Sequence, residues 1–274
     1  MDDRTALVPL TEFQRTLLAL LGQTRTPDSY LAGGAALHFA PNSTRYSNDL
    51  DFFHDSSGRV ASAFAEDSAL LESHGYGLEV EISQPGFIRA IVGRDDEATK
   101  IDWAHESAWR FMPLVRDALG GYLLHEIDLA TNKTLALAGR DEPRDFVDIL
   151  FVHERVLLLA GLVWAAVGKD PGFTPMSLLE LLKRRGRNRP EEIARLQMAT
   201  SFDPVASKEA WLAALEEADS FARSRPTDET GCLYYSASDE AFVIPRPDVP
   251  LEAQGLSLHF GAPAGVLPQA VDAQ

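Results

Sequence analysis

The chain has 274 residues, 45% apolar and 24% charged, which suits one large domain or two of ordinary size in a globular protein. Its formal net charge of -16 excludes nucleic-acid binding as a generic polycation, so any contact with RNA or DNA has to use a local basic patch. The single cysteine, Cys232, excludes an internal disulfide and a cysteine-based zinc site, and it fits a reducing cytoplasm.

Residues 1–13, MDDRTALVPLTEF, are acidic where a secretory signal would be basic, so a cytoplasmic protein is expected. Leu10, Phe13, Leu17, Leu18 and Leu21 recur at helical spacing and predict a first helix over 9–22, with Thr11 as its cap. Tyr30, Leu31 and Ala32 read as a short strand leading into Gly33-Gly34. Ala35 to Phe39 open a second helix, which Pro41, Asn42 and Ser43 end. Residues 50–53 read as a strand and 60–74 as an amphipathic helix. GLEVEIS, GFIRAIVG and ATKIDWA alternate between turn residues and predict an antiparallel meander. After Gly120-Gly121 the pattern turns helical, over 128–139, 143–160, 176–186, 190–199 and 207–223. The apolar run VLLLAGLVWAAVG, 156–168, falls well short of the roughly 20 residues of a membrane span and is expected to be a buried core helix. From about 225 onward Pro, Gly, Ser and Asp dominate without periodicity, so an irregular or partly disordered tail is expected.

The chemistry concentrates in residues 48–52. On a strand, i and i+2 share a face, so Asp49 and Asp51 point one way while Leu50 and Phe52 anchor the other side. Two carboxylates on Cα atoms about 7 Å apart can converge on one hard cation or bracket two. Mg²⁺ takes such oxygen ligands together with phosphate oxygens, and two metals would clamp an in-line phosphoryl displacement. Asp102, in KIDWA, repeats the design with Ile101 and Trp103 as core anchors. Taken alone, Lys100 and Asp102 are the wet face of an amphipathic strand; with Asp49 and Asp51 upstream, Asp102 is a candidate third metal ligand. A strand–Gly-Gly–helix turn lets backbone N–H groups approach a phosphate, which makes Gly33 and Gly34 candidates to cradle a nucleotide. Arg45 and Ser47 stand just before the acid pair, either reaching phosphate or lying in a solvated loop.

Further along, Asp128 reads as an N-cap for the helix that follows. Lys133 and Arg140 lie on one face of it two turns apart, suited to a polyphosphate. Pro143 fits the first turn of the next helix, where Arg144 and Asp148 can pair. The densest basic segment is KRRGRNR, 183–189, either a solvated helix end or an RNA contact. The seven histidines are scattered without metal-binding or triad spacing.

A Gly-Gly turn opening a helix, an Asp-x-Asp strand and a later strand Asp resemble the nucleotidyltransferase fold of the DNA polymerase β superfamily. The fuller set, GGAAL, RYSNDLDFF, KIDWA and DLATNKTLALAGRDEPRDFVDI, resembles the AbiEii/AbiGii nucleotidyltransferase toxin family over residues 30–155. The resemblance implies an α+β protein. A nucleotidyltransferase fold with a small mixed or antiparallel sheet flanked by helices would occupy 1–121. A mainly helical domain completing the active site would occupy 122–224, and an irregular tail 225–274. It implies that Asp49, Asp51 and Asp102 hold Mg²⁺, that Asp102 completes the metal site or serves as base, and that Gly33 and Gly34 cradle the triphosphate. It further implies roles for Lys133 and Asp148 in activity.

The expected activity is Mg²⁺-dependent transfer of a nucleoside monophosphate from an NTP to an acceptor hydroxyl. As the toxin of a bacterial toxin–antitoxin pair, the protein would take an RNA such as tRNA as acceptor and a cognate antitoxin as partner. Two alternatives stay open. One keeps the chemistry and changes the acceptor to a small molecule such as an aminoglycoside, or to a protein, which the net charge of -16 favours. The other is a catalytically silent nucleotide-binding module.

Overall fold

The structure, a computed structural model, describes residues 10–39, 43–140 and 142–269. The acidic segment up to residue 9, the expected helix stop at Pro41-Asn42 and Asp141 of the later motif lie outside the described residues. In chain order the first elements are α1 (Glu12–Leu21), β1 (Ser29–Ala32), α2 (Gly33–Leu37), β2 (Asp49–His54), α3 (Ser57–Ser73), β3 (Gly77–Gln84), β4 (Phe87–Arg94) and β5 (Glu97–His105). Then come β6 (Trp109–Arg110), β7 (Val115–Asp117), β8 (Gly121–Leu123), α4 (Glu126–Gly139), α5 (Pro143–Arg155), α6 (Leu159–Lys169), α7 (Pro175–Arg185), α8 (Pro190–Ile193) and α9 (Pro204–Ser224). The last are β9 (Leu233–Ser236), β10 (Ala241–Val243), β11 (Leu256–His259) and β12 (Ala262–Pro263). The described residues divide into two compact units. One takes the chain up to Ala108 with Pro113–His125 and Gln197–Thr200, and the other takes Trp109–Met112, Glu126–Leu196 and the chain from Ser201.

The first unit is built on a mixed seven-stranded sheet of order β3-β4-β5-β2-β1-β8-β7. β2 runs parallel to β5 and β1 parallel to β8, while the other neighbours are antiparallel. The expected strands and meander are present. The β7–β8 hairpin was not legible, because strands of three residues carry no period. Helix α1 starts as the sequence requires. The Thr11 hydroxyl accepts from Gln14 N–H at 3.1 Å, and the Gln14 side chain accepts from Thr11 N–H at 3.0 Å, a reciprocal cap. Leu50, Phe52, Ile101 and Trp103 are fully buried on the side of β2 and β5 away from the acids. Each such side chain stabilises the fold by roughly 1.5–3 kcal/mol. An ion pair lies buried among them. Asp67 of α3 pairs with Arg25 and accepts from Trp103 Nε1 and Thr24 Oγ1, both at 2.8 Å. The Arg25 guanidinium sits 4.4 Å over the Phe52 ring.

The second unit is mainly helical. α6 buries every residue from Leu159 to Val167, as its composition predicts, and Trp164 Nε1 donates to the Glu229 carbonyl at 2.8 Å. Among the described residues no helix is long and apolar enough to cross a membrane. Four expectations need correction. The helix expected over 143–160 breaks before α6, where His153 Nδ1 accepts from the Leu159 N–H at 2.9 Å and satisfies a first-turn donor. The helix expected over 190–199 shrinks to α8, because the following residues pair elsewhere: Gln197 O accepts from Tyr46 N–H, and Ala199 N–H donates to Thr44 O, both at 2.9 Å. Asp128 is not an N-cap. It lies inside α4, and its carboxylate accepts the N–H groups of Phe111 at 2.7 Å and Met112 at 2.9 Å. Finally, the tail is not irregular throughout. β9 pairs antiparallel with both β10 and β11, and β12 pairs with β6. Strands this short, separated by Pro- and Gly-bearing turns, leave no alternation to read.

Candidate active site

The polar face of β2, β5 and β4 carries Asp49, Asp51, Lys100, Asp102 and Arg89. Asp49 and Asp51 share that face of β2 because they are two residues apart. The parallel register sets Asp51 beside Asp102 and Asp49 beside Lys100. The antiparallel register then sets Arg89 of β4 beside Asp102. Asp49 and Asp102 are each 6% exposed, so the carboxylates stand in a recess of low dielectric rather than on an open surface.

Each acid has a protein partner. Arg89 donates through Nε to Asp102 Oδ1 at 2.8 Å and through Nη2 to Oδ2 at 2.7 Å, a bidentate fork. The hydrogen bonds to Asp102 raise the Arg89 guanidinium above its ordinary value. Lys100 Nζ lies 3.2 Å from Asp49 Oδ2, and Ser47 Oγ donates to Asp49 Oδ1 at 3.3 Å. Among the described residues no three carboxylate, imidazole or thiolate side chains are gathered closely enough to hold a metal ion. The donor type nevertheless suits a hard cation, because the neighbouring Asp51 and Asp102, with Asp49 two residues along the same face, offer oxygen ligands only.

The Gly-Gly turn closes one side of the recess. Gly33 has φ +62°, a left-handed conformation that β-carbon-bearing residues rarely adopt, and a Cβ there would stand 1.9 Å from Asp51 Oδ2. A Cβ on Gly34 would stand 2.9 Å from Arg45 Nη2 and 3.1 Å from Ser47 Oγ. Both glycines therefore let the chain pass close to residues singled out in the sequence. Arg45 and Ser47 are buried, not a solvated loop, and their segment is clamped by Gln197–Thr200. α2 is one short turn of five residues, so donors here come from the turn itself. Sequence reading missed three supports. Arg89 is the first, and it looked like any polar residue on an alternating strand. Gln14 is the second; its Nε2 donates to the Ser47 carbonyl and to Thr99 Oγ1, both at 3.1 Å. The only signal for it was an amide within an apolar stripe. The third is the Gln197–Thr200 clamp, which had no signal at all.

Lys133, Arg140 and Asp148 belong to the second unit, in a cluster of their own. Lys133 Nζ lies 2.7 Å from Asp148 Oδ2 and 3.3 Å from Asp145 Oδ1, and Arg140 Nε lies 2.6 Å from Asp145 Oδ2. Both aspartate side chains are fully buried and Lys133 is 8% exposed. Asp145 was not singled out in the sequence, and it is the residue that joins the two cations.

The family model of the nucleotidyl transferase AbiEii toxin, type IV toxin–antitoxin system, matches residues 15–230. No curated protein matches the chain. Among solved structures, the nucleotidyltransferase toxin MenT4 of Mycobacterium tuberculosis is similar at 18% identity and a TM-score of 0.49, over 79% of this chain and 83% of that one. JHP933 of Helicobacter pylori is similar at 15% identity and a TM-score of 0.44, over 78% and 97%. The match to the family model spans well over half of the chain and takes in the acid face, the Gly-Gly turn and the Lys133 cluster alike: the chain belongs to the AbiEii family of nucleotidyltransferase toxins of type IV toxin–antitoxin systems.

Proposed function

We propose that the protein is a Mg²⁺-dependent enzyme that transfers a nucleoside monophosphate from an NTP to a hydroxyl of an RNA, with a tRNA as the acceptor class. The observation that supports it most is the register of β2 and β5, which lines up Asp51 with Asp102, keeps Asp49 on the same face and leaves Asp51 against the Gly33-Gly34 turn. Asp49, Asp51 and Asp102 would hold the metal, and when bound it would neutralise the triphosphate and polarise the α-phosphorus. Gly33 and Gly34 would admit the phosphates, with Arg45 and Ser47 beside Gly34 as donors to them. The acceptor oxygen forms a bond to the α-phosphorus as the bond between that phosphorus and the α–β bridging oxygen breaks. The electron pair leaves with pyrophosphate, and the hydroxyl proton passes to the carboxylate face. Arg140 and Lys133 would meet phosphate only after exchanging a buried aspartate for it, with Asp148 and Asp145 holding their charge until then.

The toxin family supports a cognate antitoxin as partner, and the single buried thiol, Cys232, suits a cytoplasmic protein. For the acceptor, Arg184, Arg187 and Arg189 are exposed around the end of α7 and offer a local cationic contact for RNA. The net charge of -16 supports a second acceptor class, a polycationic small molecule such as an aminoglycoside.

The test incubates the protein with Mg²⁺ and each α-³²P-labelled NTP, with and without total bacterial tRNA. Label moves to tRNA with the wild type, and the rate falls more than about a hundredfold in the Asp49→Ala/Asp51→Ala variant. Label on an aminoglycoside but not on tRNA replaces the acceptor. No transfer to any acceptor, with wild type and variant binding Mg²⁺–NTP equally, refutes the enzymatic role of the acid pair.

A further inference from the structure

Three carboxylates on one sheet face repel one another, and a fold that carries them has to answer that repulsion before any ligand arrives. Two cations do so from fixed places on the same face. Lys100 stands beside Asp49 on the neighbouring strand, and Arg89 stands beside Asp102 on the next. The two contacts differ in kind. Lys100 places one ammonium 3.2 Å from one oxygen of Asp49 and is 28% exposed. Arg89 takes both oxygens of Asp102 in a planar fork at 2.8 and 2.7 Å. Its guanidinium also lies 5.3 Å over the Phe87 ring, which steadies it there. An Asp102 carboxylate that only stabilised the sheet would not need to be nearly buried, because an exposed cross-strand pair contributes little. Here the side chain of Asp102 is 8% exposed and the Arg89 side chain 30%, so the acid is enclosed while its partner reaches toward solvent.

We propose that Arg89 is a resident counter-ion that occupies Asp102 in place of a divalent cation, so that metal alone binds weakly and metal with a polyphosphate binds well. The proposal rests on the metal role given above to the three carboxylates. Arg89 holds Asp102 and Lys100 holds Asp49, so two of the three carboxylates are met by a cation from a neighbouring strand. A divalent ion arriving alone must displace a bidentate guanidinium and leaves it without its Asp102 partner. An anionic triphosphate arriving with the metal supplies a new partner for the displaced guanidinium. Arg89 thus couples metal entry to nucleotide entry and is a positioning residue acting through Asp102.

The test measures Mn²⁺ binding to the full chain by electron paramagnetic resonance, without nucleotide. The proteins compared are the wild type, Arg89→Gln, Arg89→Lys and Arg89→Gln/Asp102→Asn. Arg89→Gln binds free Mn²⁺ at least about tenfold more tightly than the wild type, the ratio a lost charge-assisted fork implies. Arg89→Lys, which keeps the charge with a single point of contact, falls between the two. The double variant returns to the weak affinity of the wild type. Equal Mn²⁺ affinity of Arg89→Gln and the wild type overturns the proposal. If Arg89→Gln does not fold, as judged by circular dichroism, an unchanged affinity in Arg89→Lys overturns it. These failures are separate from failure of the function proposed above. A wild type that transfers label with Mg²⁺ while Arg89→Gln leaves Mn²⁺ affinity unchanged refutes the counter-ion role alone. A wild type that transfers no label, with neither it nor Arg89→Gln binding Mn²⁺, refutes both.

Discussion

Replacing Gly33 by alanine probes the contact between the Gly-Gly turn and the acid face. Two costs add. Gly33 has φ +62°, and an alanine held there costs about 1–2 kcal/mol. Its Cβ would stand 1.9 Å from Asp51 Oδ2, 2.5 Å from Cγ and 2.7 Å from Cβ. The last of these atoms cannot swing away by a side-chain rotation, so β1 and β2 must part locally, at about 1–3 kcal/mol. The expected loss is about 2–5 kcal/mol, read by urea unfolding followed by circular dichroism. Asp51→Gly removes all three clashing atoms, so the double variant Gly33→Ala/Asp51→Gly shows a favourable coupling of about 1–3 kcal/mol. Gly34→Ala is the control. Its Cβ meets the ends of the Arg45 and Ser47 side chains at 2.9 and 3.1 Å, and its backbone is not left-handed. Stability then falls by no more than about 1 kcal/mol, while KM for the NTP rises. Wild-type stability in Gly33→Ala, or strict additivity with Asp51→Gly, would refute the close approach of Gly33 to Asp51.

Two further outcomes follow from buried charge. His54, at the end of β2, is fully buried, and neither ring nitrogen has a hydrogen-bond partner among the described residues. Burial, with Arg25 and Arg59 nearby, lowers its pKa to about 3. The unfolded imidazole gains its proton as pH falls through about 6.5, and the folded one stays neutral down to about 3, so stability drops across that window. Between pH 7 and pH 4.5 the wild type loses about 2.5 kcal/mol more than His54→Phe in denaturant titrations, and equal losses would show that the ring is accessible to protons. In the second unit, Lys133→Met leaves Asp145 and Asp148 buried without their shared ammonium and destabilises by about 3–5 kcal/mol. Adding Asp148→Asn recovers a large part of that loss, whereas additive losses in urea unfolding would show that the cluster is not coupled.

What the sequence revealed and what it hid follow from the range of the interactions. The Thr11 cap, the α3 span, the buried helical character of α6 and the Asp49-to-Phe52 alternation depend on neighbours within a turn or a strand, and all were legible. The alignment of Asp51 with Asp102 could be suspected from two matching patterns, but only the parallel register of β2 and β5 brings them side by side. Gln14, Arg25 and Asp67 act across 33 to 85 residues of chain, and nothing local distinguishes them from ordinary helix or loop residues. Asp128 shows the opposite error. An acid three residues into a helical pattern looks like a cap, yet its carboxylate is taken by backbone donors of Phe111 and Met112. Burial raises its pKa above the ordinary value, and those donors oppose the shift. The family match over 15–230 also extends well past the motifs of 30–155, where α6 carries an apolar pattern and none of the quoted signature residues.

The charge of the whole chain and the charge of its acid face have to be weighed at different distances. A net charge of -16 is spread over a surface of 13753 Å², and beyond about 8 Å physiological salt screens it. At the carboxylates themselves close partners matter most, Arg89 on Asp102 and Lys100 on Asp49. A free divalent cation displaces the Arg89 guanidinium from Asp102 and offers it nothing in return, whereas a metal–triphosphate brings phosphate oxygens as new partners. The chain as a whole repels polyanions, and under the function proposed above this face would accept one together with its metal. The same reasoning applies to an RNA acceptor. Exposed Arg184, Arg187 and Arg189 need only outweigh the acids within one screening length, not the sixteen negative charges of the whole chain. For the RNA acceptor proposed above, the chain's acidity would limit non-specific binding and leave recognition to a few local cations.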